Sequence, residues 1–217
     1  VMTTVVITLV MAPTLPPMPL LDPFTLGGVL QLANQFMIGL AMGFVLHMIF
    51  AAFTVAAQSM GMSMGLGVAM AGDPTNGVQV PVLAQLLVLF ATLIFLSLNG
   101  HLMIIDTLRE SFFTMPVSNR PLSSDAIWSL LSWSKIIFVW GVKTAIPIVV
   151  TLLLINISFG VVTRAAPQLN IFAVGFPVSI MVGFWLLNIS FPALWPRLVE
   201  LMESAFYTVQ QFRLDGG

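Results

Sequence analysis

An all-α fold built from apolar helices is predicted by three features of this chain of 217 residues. Hydrophobic residues make up 59% and charged residues only 7%, whereas a soluble domain carries roughly 25% charged residues. Long runs without a formal charge recur, and about 20 apolar residues are enough for a helix to cross a bilayer core. Clusters of proline and glycine separate these runs. We therefore expect apolar helical hairpins with Pro/Gly breaks, placed in lipid or inside a large apolar assembly.

The composition also excludes several classes of function. A net charge of −1 with seven Lys and Arg residues argues against nucleic-acid binding. The absence of cysteine excludes disulfides and thiolate metal sites. His47 and His101 are the only histidines, and neither belongs to a two-ligand metal spacing. No nucleotide-binding loop or hydrolase motif is present, so we expect a protein without catalytic residues, cofactor or metal.

The first half of the chain divides into two apolar stretches. Val1–Ala12 lacks the basic region of a signal peptide, so we interpret it as the end of a membrane helix whose start is missing. Pro13 and the prolines after it stop this segment. Pro23–Gly72 carries no formal charge and is too long for one span. Two helices or a helical hairpin are expected there, with the crease within Gln58–Gly67, where glycines are frequent.

Further helices are expected in the middle of the chain. Val80–Leu98 is the clearest single spanning candidate. The helix that begins there is expected to continue into the polar residues after it. Residues 123–125, Ser-Ser-Asp, are suited to the start of the next helix. That helix should run to about Gly160, with interruptions at Gly141 and Pro147.

The C-terminal part ends in a different kind of helix. Arg164–Gln168 should break the chain, and Leu169–Phe191 should be bent or divided at Pro177. From Arg197 to Arg213, apolar residues recur at helical spacing while glutamates and glutamines fall on other faces. Residues 197–217 are therefore expected to form an amphipathic helix and tail, lying in an interface or docked on a partner. We expect residues 1–217 to form a single all-helical subunit.

Small and flexible residues suggest close packing. Gly39 and Gly43, like Gly61 and Gly65, have the GxxxG spacing that lets helix backbones approach closely. Ordinary packing within the chain explains them, and packing against other subunits is the alternative. A run of methionines could act either as core filler or as a deformable gasket. These methionines are Met60, Met62, Met64 and Met70.

Charged residues within apolar surroundings need partners or a water-filled path. Lys143 and Arg164 would be costly if they faced lipid. Asp106, Arg109 and Glu110 lie within one or two helical turns, which predicts an ion-paired polar helix end. These five residues are therefore candidates for inter-subunit or buried charge.

An unusual apolar cluster follows that polar end. Phe112, Phe113 and Met115 occur where a solvated loop is normally polar, and Pro116 follows them directly. An exposed apolar cluster of this kind usually contacts something. Burial against the chain's own helices and contact with another molecule remain equally open on these residues.

Three strings, read together, resemble the FliR family of flagellar biosynthetic proteins, which has counterparts in type III secretion injectisomes. The first is Asp73-Pro74 followed by VPVLAQ (Val80–Gln85). The second is NGHL (Asn99–Leu102), and the third is APQLNIFAVGFP (Ala166–Pro177). Their order and approximate spacing also fit, and the resemblance covers essentially the whole chain.

The resemblance implies an export-gate subunit in the centre of the flagellar basal body, at the bacterial inner membrane. FliR-like proteins resemble a fusion of a FliP-like and a FliQ-like unit, and they assemble with FliP and FliQ into a closed helical cone. An FlhB-like switch protein and unfolded export substrates are further implied partners, together with membrane lipid. The family's apparent spans are bent hairpins, largely above the membrane plane. Its pore plug maps onto Ser111–Pro121, with Phe112, Phe113 and Met115 as sealing side chains.

Three functions therefore compete at this point. The first is a structural and gating subunit of the flagellar type III export channel. The second is a secondary transporter, with broken helices at Pro147 and Pro177 around a midplane site near Lys143. The third is a passive membrane scaffold.

Overall fold

The computed structural model describes residues 2–17, 24–67, 82–118, 121–166 and 171–212. These residues fold into α-helices joined by short turns, so the all-α prediction is confirmed. In chain order the helices are α1 (Met2–Met11), α2 (Leu26–Ser63), α3 (Val82–Ser97), α4 (Gly100–Thr114), α5 (Ser124–Ser134), α6 (Ile136–Ala165), α7 (Ile171–Ser190) and α8 (Leu194–Gln210). Short 3₁₀ segments occupy Ala12–Thr14 and Phe191–Ala193.

The first helix ends where the sequence predicts. Helix α1 stops at Met11, and Pro13 lies in the 3₁₀ turn that follows. The Thr14 hydroxyl donates a hydrogen bond of 2.7 Å to the Met11 carbonyl, which satisfies one of the acceptors left open at the helix end.

Helix α2 is one continuous helix of 38 residues, about 57 Å long. Thr25 caps its start, because its hydroxyl oxygen accepts a hydrogen bond of 3.1 Å from the Gly28 amide. The helix ends before Gly65, whose φ of +83° is the left-handed conformation that glycine adopts at helix ends. The predicted crease within Gln58–Gly67 is therefore confirmed, and it lies at its C-terminal part. Residues 68–72 of the predicted apolar stretch fall outside the described residues.

A sharp corner separates α3 from α4. Asn99 takes a left-handed conformation with φ of 57°, which asparagine tolerates better than most residues. Gly100 is buried against the Phe95 ring, where an added Cβ atom would collide with the ring carbons. The two helices are bent by 67° at this point. The expectation that α3 continues into the polar stretch is wrong, because the left-handed residue ends the helical hydrogen-bond ladder.

Helix α5 begins at the predicted capping residues. The Ser123 hydroxyl oxygen accepts a hydrogen bond of 3.0 Å from the Ala126 amide, and Asp125 lies in the first turn. The break that follows is at Lys135, which separates α5 from α6. The interruptions expected at Gly141 and Pro147 are not found, because α6 passes through both residues. Apolar helices tolerate such residues when neighbouring groups satisfy the freed backbone.

Helices α6 and α7 pack against each other. The Ser179 hydroxyl donates a hydrogen bond of 3.1 Å to the Asn156 side-chain oxygen and so links the two helices. Helix α7 is not divided at Pro177. The predicted break is confirmed at Ala165, where α6 ends, and residues 167–170 lie outside the described part.

Helix α8 begins at Leu194, slightly earlier than the predicted Arg197, and residues 213–217 of the predicted tail lie outside the described residues. The apolar residues that define the amphipathic pattern are buried within the chain: Leu198, Leu201, Met202, Ala205 and Val209. Glu200, Glu203 and Gln210 are exposed. Helix α8 thus already has its apolar face covered by its own chain.

Two compact units make up the chain, each assembled from separate segments. The first combines Val1–His47, Phe95–Ser134 and Leu201–Gly217. The second combines Met48–Ile94 and Lys135–Glu200. The description of residues 1–217 as a single subunit stays a prediction.

Several helical runs are long and apolar enough to cross a membrane. They are Leu26–Ser63, Ser124–Ala165 and Val174–Gln210. The bent pair formed by α3 and α4 would make a fourth if it counted as one span. Large apolar side chains are exposed along these runs, so lipid or other apolar helices must cover them.

Candidate functional site

The apolar cluster after the polar stretch lies at the end of α4. Residues 111–114 form the last turn of this helix rather than a loop, which corrects the predicted extent of the plug loop. Met115 ends the helix, and its amide donates a hydrogen bond of 2.7 Å to the Ser111 carbonyl. Pro116 follows and is exposed. Asn119 and Arg120, also part of the predicted plug, lie outside the described residues.

The three apolar side chains of this cluster differ strongly in exposure. Phe113 is 52% exposed, Phe112 is half-buried, and Met115 is only 2% exposed. A helix explains the difference, since successive residues are rotated by about 100° and so point in different directions. The cluster therefore contains an inward side chain, Met115, and an outward side chain, Phe113.

Met115 lines a small cleft between α4 and the end of α8. The cleft has a volume of about 140 Å³. Its lining residues are Thr107, Glu110, Ser111, Thr114 and Met115 from the α4 side, with Val209 and Gln210 from α8. Val209 is 4% exposed, so an apolar side chain of α8 is buried at the same place as Met115. Sequence reasoning missed α8 as a neighbour of the cluster, because the two segments are far apart in the chain.

The predicted ion pair on α4 is present. Arg109 Nη1 lies 3.8 Å from Asp106 Oδ1, and the Arg109 guanidinium lies 5.6 Å from the centre of the Phe113 ring. Both charged side chains are well exposed, so the pair contributes at most about 1 kcal/mol. Glu110 is exposed and lines the cleft instead.

Lys143 and Arg164 are exposed side chains of α6. The described part of the chain offers neither of them a carboxylate within salt-bridge distance. An exposed Lys143 is not enclosed in a site within its own unit, so the structure adds no support to the midplane transporter site. Both cations remain candidates for contact with another molecule.

The two glycine pairs of the sequence behave differently. Gly61 is buried, and a Cβ atom there would meet Leu83 at 3.8 Å. Gly65 faces Phe176 of α7, whose ring carbons would lie 2.9 Å from an added Cβ atom. Gly39 and Gly43 are exposed, and nothing in the chain lies within 4 Å of a Cβ atom added to either. Packing within the chain therefore explains the second pair but not the first.

The methionines divide in the same way. Met60 and Met64 are each 1% exposed, which fits core filler. An added Cβ atom on Gly183 of α7 would lie 2.6 Å from Met64 Cγ, so the glycine makes room for this side chain. Met62 is 75% exposed, and Met70 lies outside the described residues.

The described residues contain no cluster of three or more His, Cys, Asp or Glu side chains that could hold a metal ion. His47 and His101 are both exposed.

Comparison with known proteins places this architecture in a family. Residues 1–205 match the family described as bacterial export proteins, family 1. The chain belongs to the FliR family of bacterial export proteins. It is 39% identical to the flagellar biosynthetic protein FliR of Pectobacterium carotovorum subsp. carotovorum over 202 residues, which cover 93% of the chain and 77% of the relative.

Two further relatives extend the comparison. The flagellar biosynthetic protein FliR of Escherichia coli (strain K12) is 37% identical over 92% of the chain and 76% of its own length. The surface presentation of antigens protein SpaR of Shigella flexneri is 26% identical over 81% of the chain and 68% of its own length. The predicted resemblance to the FliR family is confirmed. Family membership and the apolar helices together indicate a membrane protein of flagellar type III export.

Proposed function

We propose that the chain is a structural and gating subunit, without enzymatic activity, of the flagellar type III protein export channel. It would assemble with FliP and FliQ in the bacterial inner membrane, at the centre of the flagellar basal body. An FlhB-like switch protein would be a further partner, and unfolded export substrates would pass through. The residues after the polar part of α4 would close the pore.

The contrast between Phe113 and Met115 is the observation that supports this role. A closing element needs an apolar side chain that faces the pore and a firm attachment behind it. Phe113 is exposed at the end of α4, while Met115 is buried two residues later. We therefore refine the plug: Phe113, with the half-buried Phe112, would form the seal and Met115 would hold it in place.

The Phe113→Ser substitution is expected to make the assembled gate leak ions, because it removes an exposed apolar ring from the seal. Ion flux would be measured with the FliP, FliQ and FliR-family complex reconstituted in liposomes. Phe138→Ser is a matched control, since Phe138 is 67% exposed on α6, outside the plug. Wild-type permeability in a fully assembled Phe113→Ser complex would contradict the plug and favour the passive scaffold.

This point substitution tests the seal more specifically than deletion of residues 111–121. Such a deletion is also expected to open the pore, but it removes the buried Ser111 and Met115 as well. Leakage from a partly unfolded subunit would then be mistaken for loss of the seal.

The exposed glycine pair of α2 supports contact with another subunit. Leu40 and Phe44 are exposed beside Gly39 and Gly43, so this part of α2 offers a shallow groove flanked by apolar side chains. Small residues at this spacing let a second helix approach closely. We propose that an apolar helix of FliP or FliQ packs there.

The Gly43→Leu substitution is expected to reduce co-purification with FliP and FliQ severalfold, because the larger side chain fills the groove. Gly160→Leu is the control, since Gly160 on α6 also has nothing within 4 Å but lacks a GxxxG partner. Equal recovery of the assembled complex from both variants would indicate that Gly43 faces lipid.

A further inference from the structure

A side chain of α2 reaches the backbone of the proposed plug. Asn34 Nδ2 donates a hydrogen bond of 3.4 Å to the Ser118 carbonyl oxygen, across 84 residues of sequence. Asn34 is half-buried on α2, and Ser118 follows Met115 by three residues. Both residues lie in the same compact unit.

Two attachments therefore hold the short stretch after α4. Met115 is buried at its start, and the Asn34 amide holds the carbonyl of Ser118. Only Pro116 and Val117 lie between the two attachments, so few backbone angles of this stretch are left unconstrained. Pro116 restricts the stretch further, because its ring fixes one backbone angle and limits the residue before it.

We propose that Asn34 is a positioning residue of the plug, which holds the segment after Phe113 and Met115 in the closed arrangement. This inference rests on the proposed function of the segment as a plug. The bond joins two uncharged groups and, at 3.4 Å, is longer than the usual N–H···O range of about 2.7–3.2 Å, so it is a weak contact. Its loss exposes no buried charge, so a passing substrate could displace the segment at low cost. The acceptor is a backbone carbonyl, so the contact does not depend on the side chain at position 118.

The neighbouring residue provides a matched control. Gln35 Nε2 is buried and has no hydrogen-bond partner within the described residues. Gln35→Leu therefore removes an amide next to Asn34 without breaking a hydrogen bond made by that nitrogen. Asn34→Leu also replaces an amide side chain by leucine, but at a position where the amide donates a hydrogen bond to Ser118.

The test measures ion leak through the reconstituted FliP, FliQ and FliR-family complex. Asn34→Leu is expected to raise the leak about threefold, because it removes the weak hydrogen bond to the Ser118 carbonyl. Gln35→Leu should leave it unchanged, and Asn34→Gln, which keeps a donor, should restore part of the closure. In the Phe113→Ser background, Asn34→Leu should add nothing, because the seal is already lost.

The outcomes separate this inference from the function on which it rests. If Phe113→Ser leaks while Asn34→Leu matches wild type, Asn34 is not a positioning residue and the plug stands. If Asn34→Leu raises the leak by the same factor in the wild-type and the Phe113→Ser backgrounds, it acts through general packing of the subunit and not through the plug. That result overturns the inference. If Phe113→Ser does not leak, the plug itself fails.

Discussion

The Gly141→Leu substitution is expected to lower the free energy of unfolding by about 3 kcal/mol, at the upper end of the cost of overpacking a core. Gly141 of α6 lies directly against α2. A Cβ atom there would lie 2.7 Å from Val55 Cγ1 and 3.2 Å from the Ala52 carbonyl oxygen. Val55 is β-branched and has little freedom to rotate away, and the carbonyl belongs to the helix backbone. The two helices must therefore separate to admit any side chain at this position.

Gly160→Leu is the matched control for this prediction. Gly160 lies in the same helix, so both changes bring the same gain in helix propensity. Nothing lies within 4 Å of a Cβ atom added to Gly160, so the change should not lower stability. Thermal unfolding followed by tryptophan fluorescence in detergent should show a drop of roughly 6–12 °C for Gly141→Leu alone. Equal unfolding temperatures for the two variants would show that α6 does not approach α2 as closely as the structure indicates.

Gly141 also shows where sequence reasoning fails. A glycine inside an apolar helical run predicts a weak point, because it lowers helix propensity. A close contact between two helices also requires a glycine. Only the position of Val55, which the sequence does not show, distinguishes a helix break from a close contact. Helix starts and ends that are marked by capping or glycine residues at the position itself were predicted correctly. Ser123 caps α5, and Gly65 ends the long α2 helix.

The candidate site was predictable in its residues but not in its geometry. Phe112, Phe113 and Met115 stand out because apolar residues follow a polar stretch. Met115 is buried beside Val209 of α8, which lies nearly 100 residues later in the chain. A local sequence pattern cannot predict this contact. The Asn34 contact has no sequence signal either, since its acceptor is a backbone carbonyl. The FliR family was predictable, because its motifs are local strings; NGHL includes the left-handed corner at Asn99.

The Met115→Ala substitution is expected to destabilise the subunit and open the gate, whereas Phe113→Ser should only open the gate. Met115 is 2% exposed, so its truncation removes buried apolar contacts and should cost about 3 kcal/mol. Phe113 is 52% exposed, and a change there mainly loses its contact with the Arg109 guanidinium, which is worth about 0.5–1 kcal/mol at an exposed site. Two residues of one cluster are thus assigned different physical roles.

Unfolding temperature and ion leak, measured on the same reconstituted complex, separate these roles. Met115→Leu nearly conserves volume and should recover most of the stability and closure lost in Met115→Ala. If Met115→Ala unfolds at the wild-type temperature, Met115 is not a buried anchor. If it destabilises the subunit without leakage while Phe113→Ser leaks, the seal does not depend on the anchor. The expected result is that Met115→Ala lowers the unfolding temperature and leaks, whereas Phe113→Ser only leaks. Closure would then depend on the exposed Phe113 ring and on the buried Met115 that holds it.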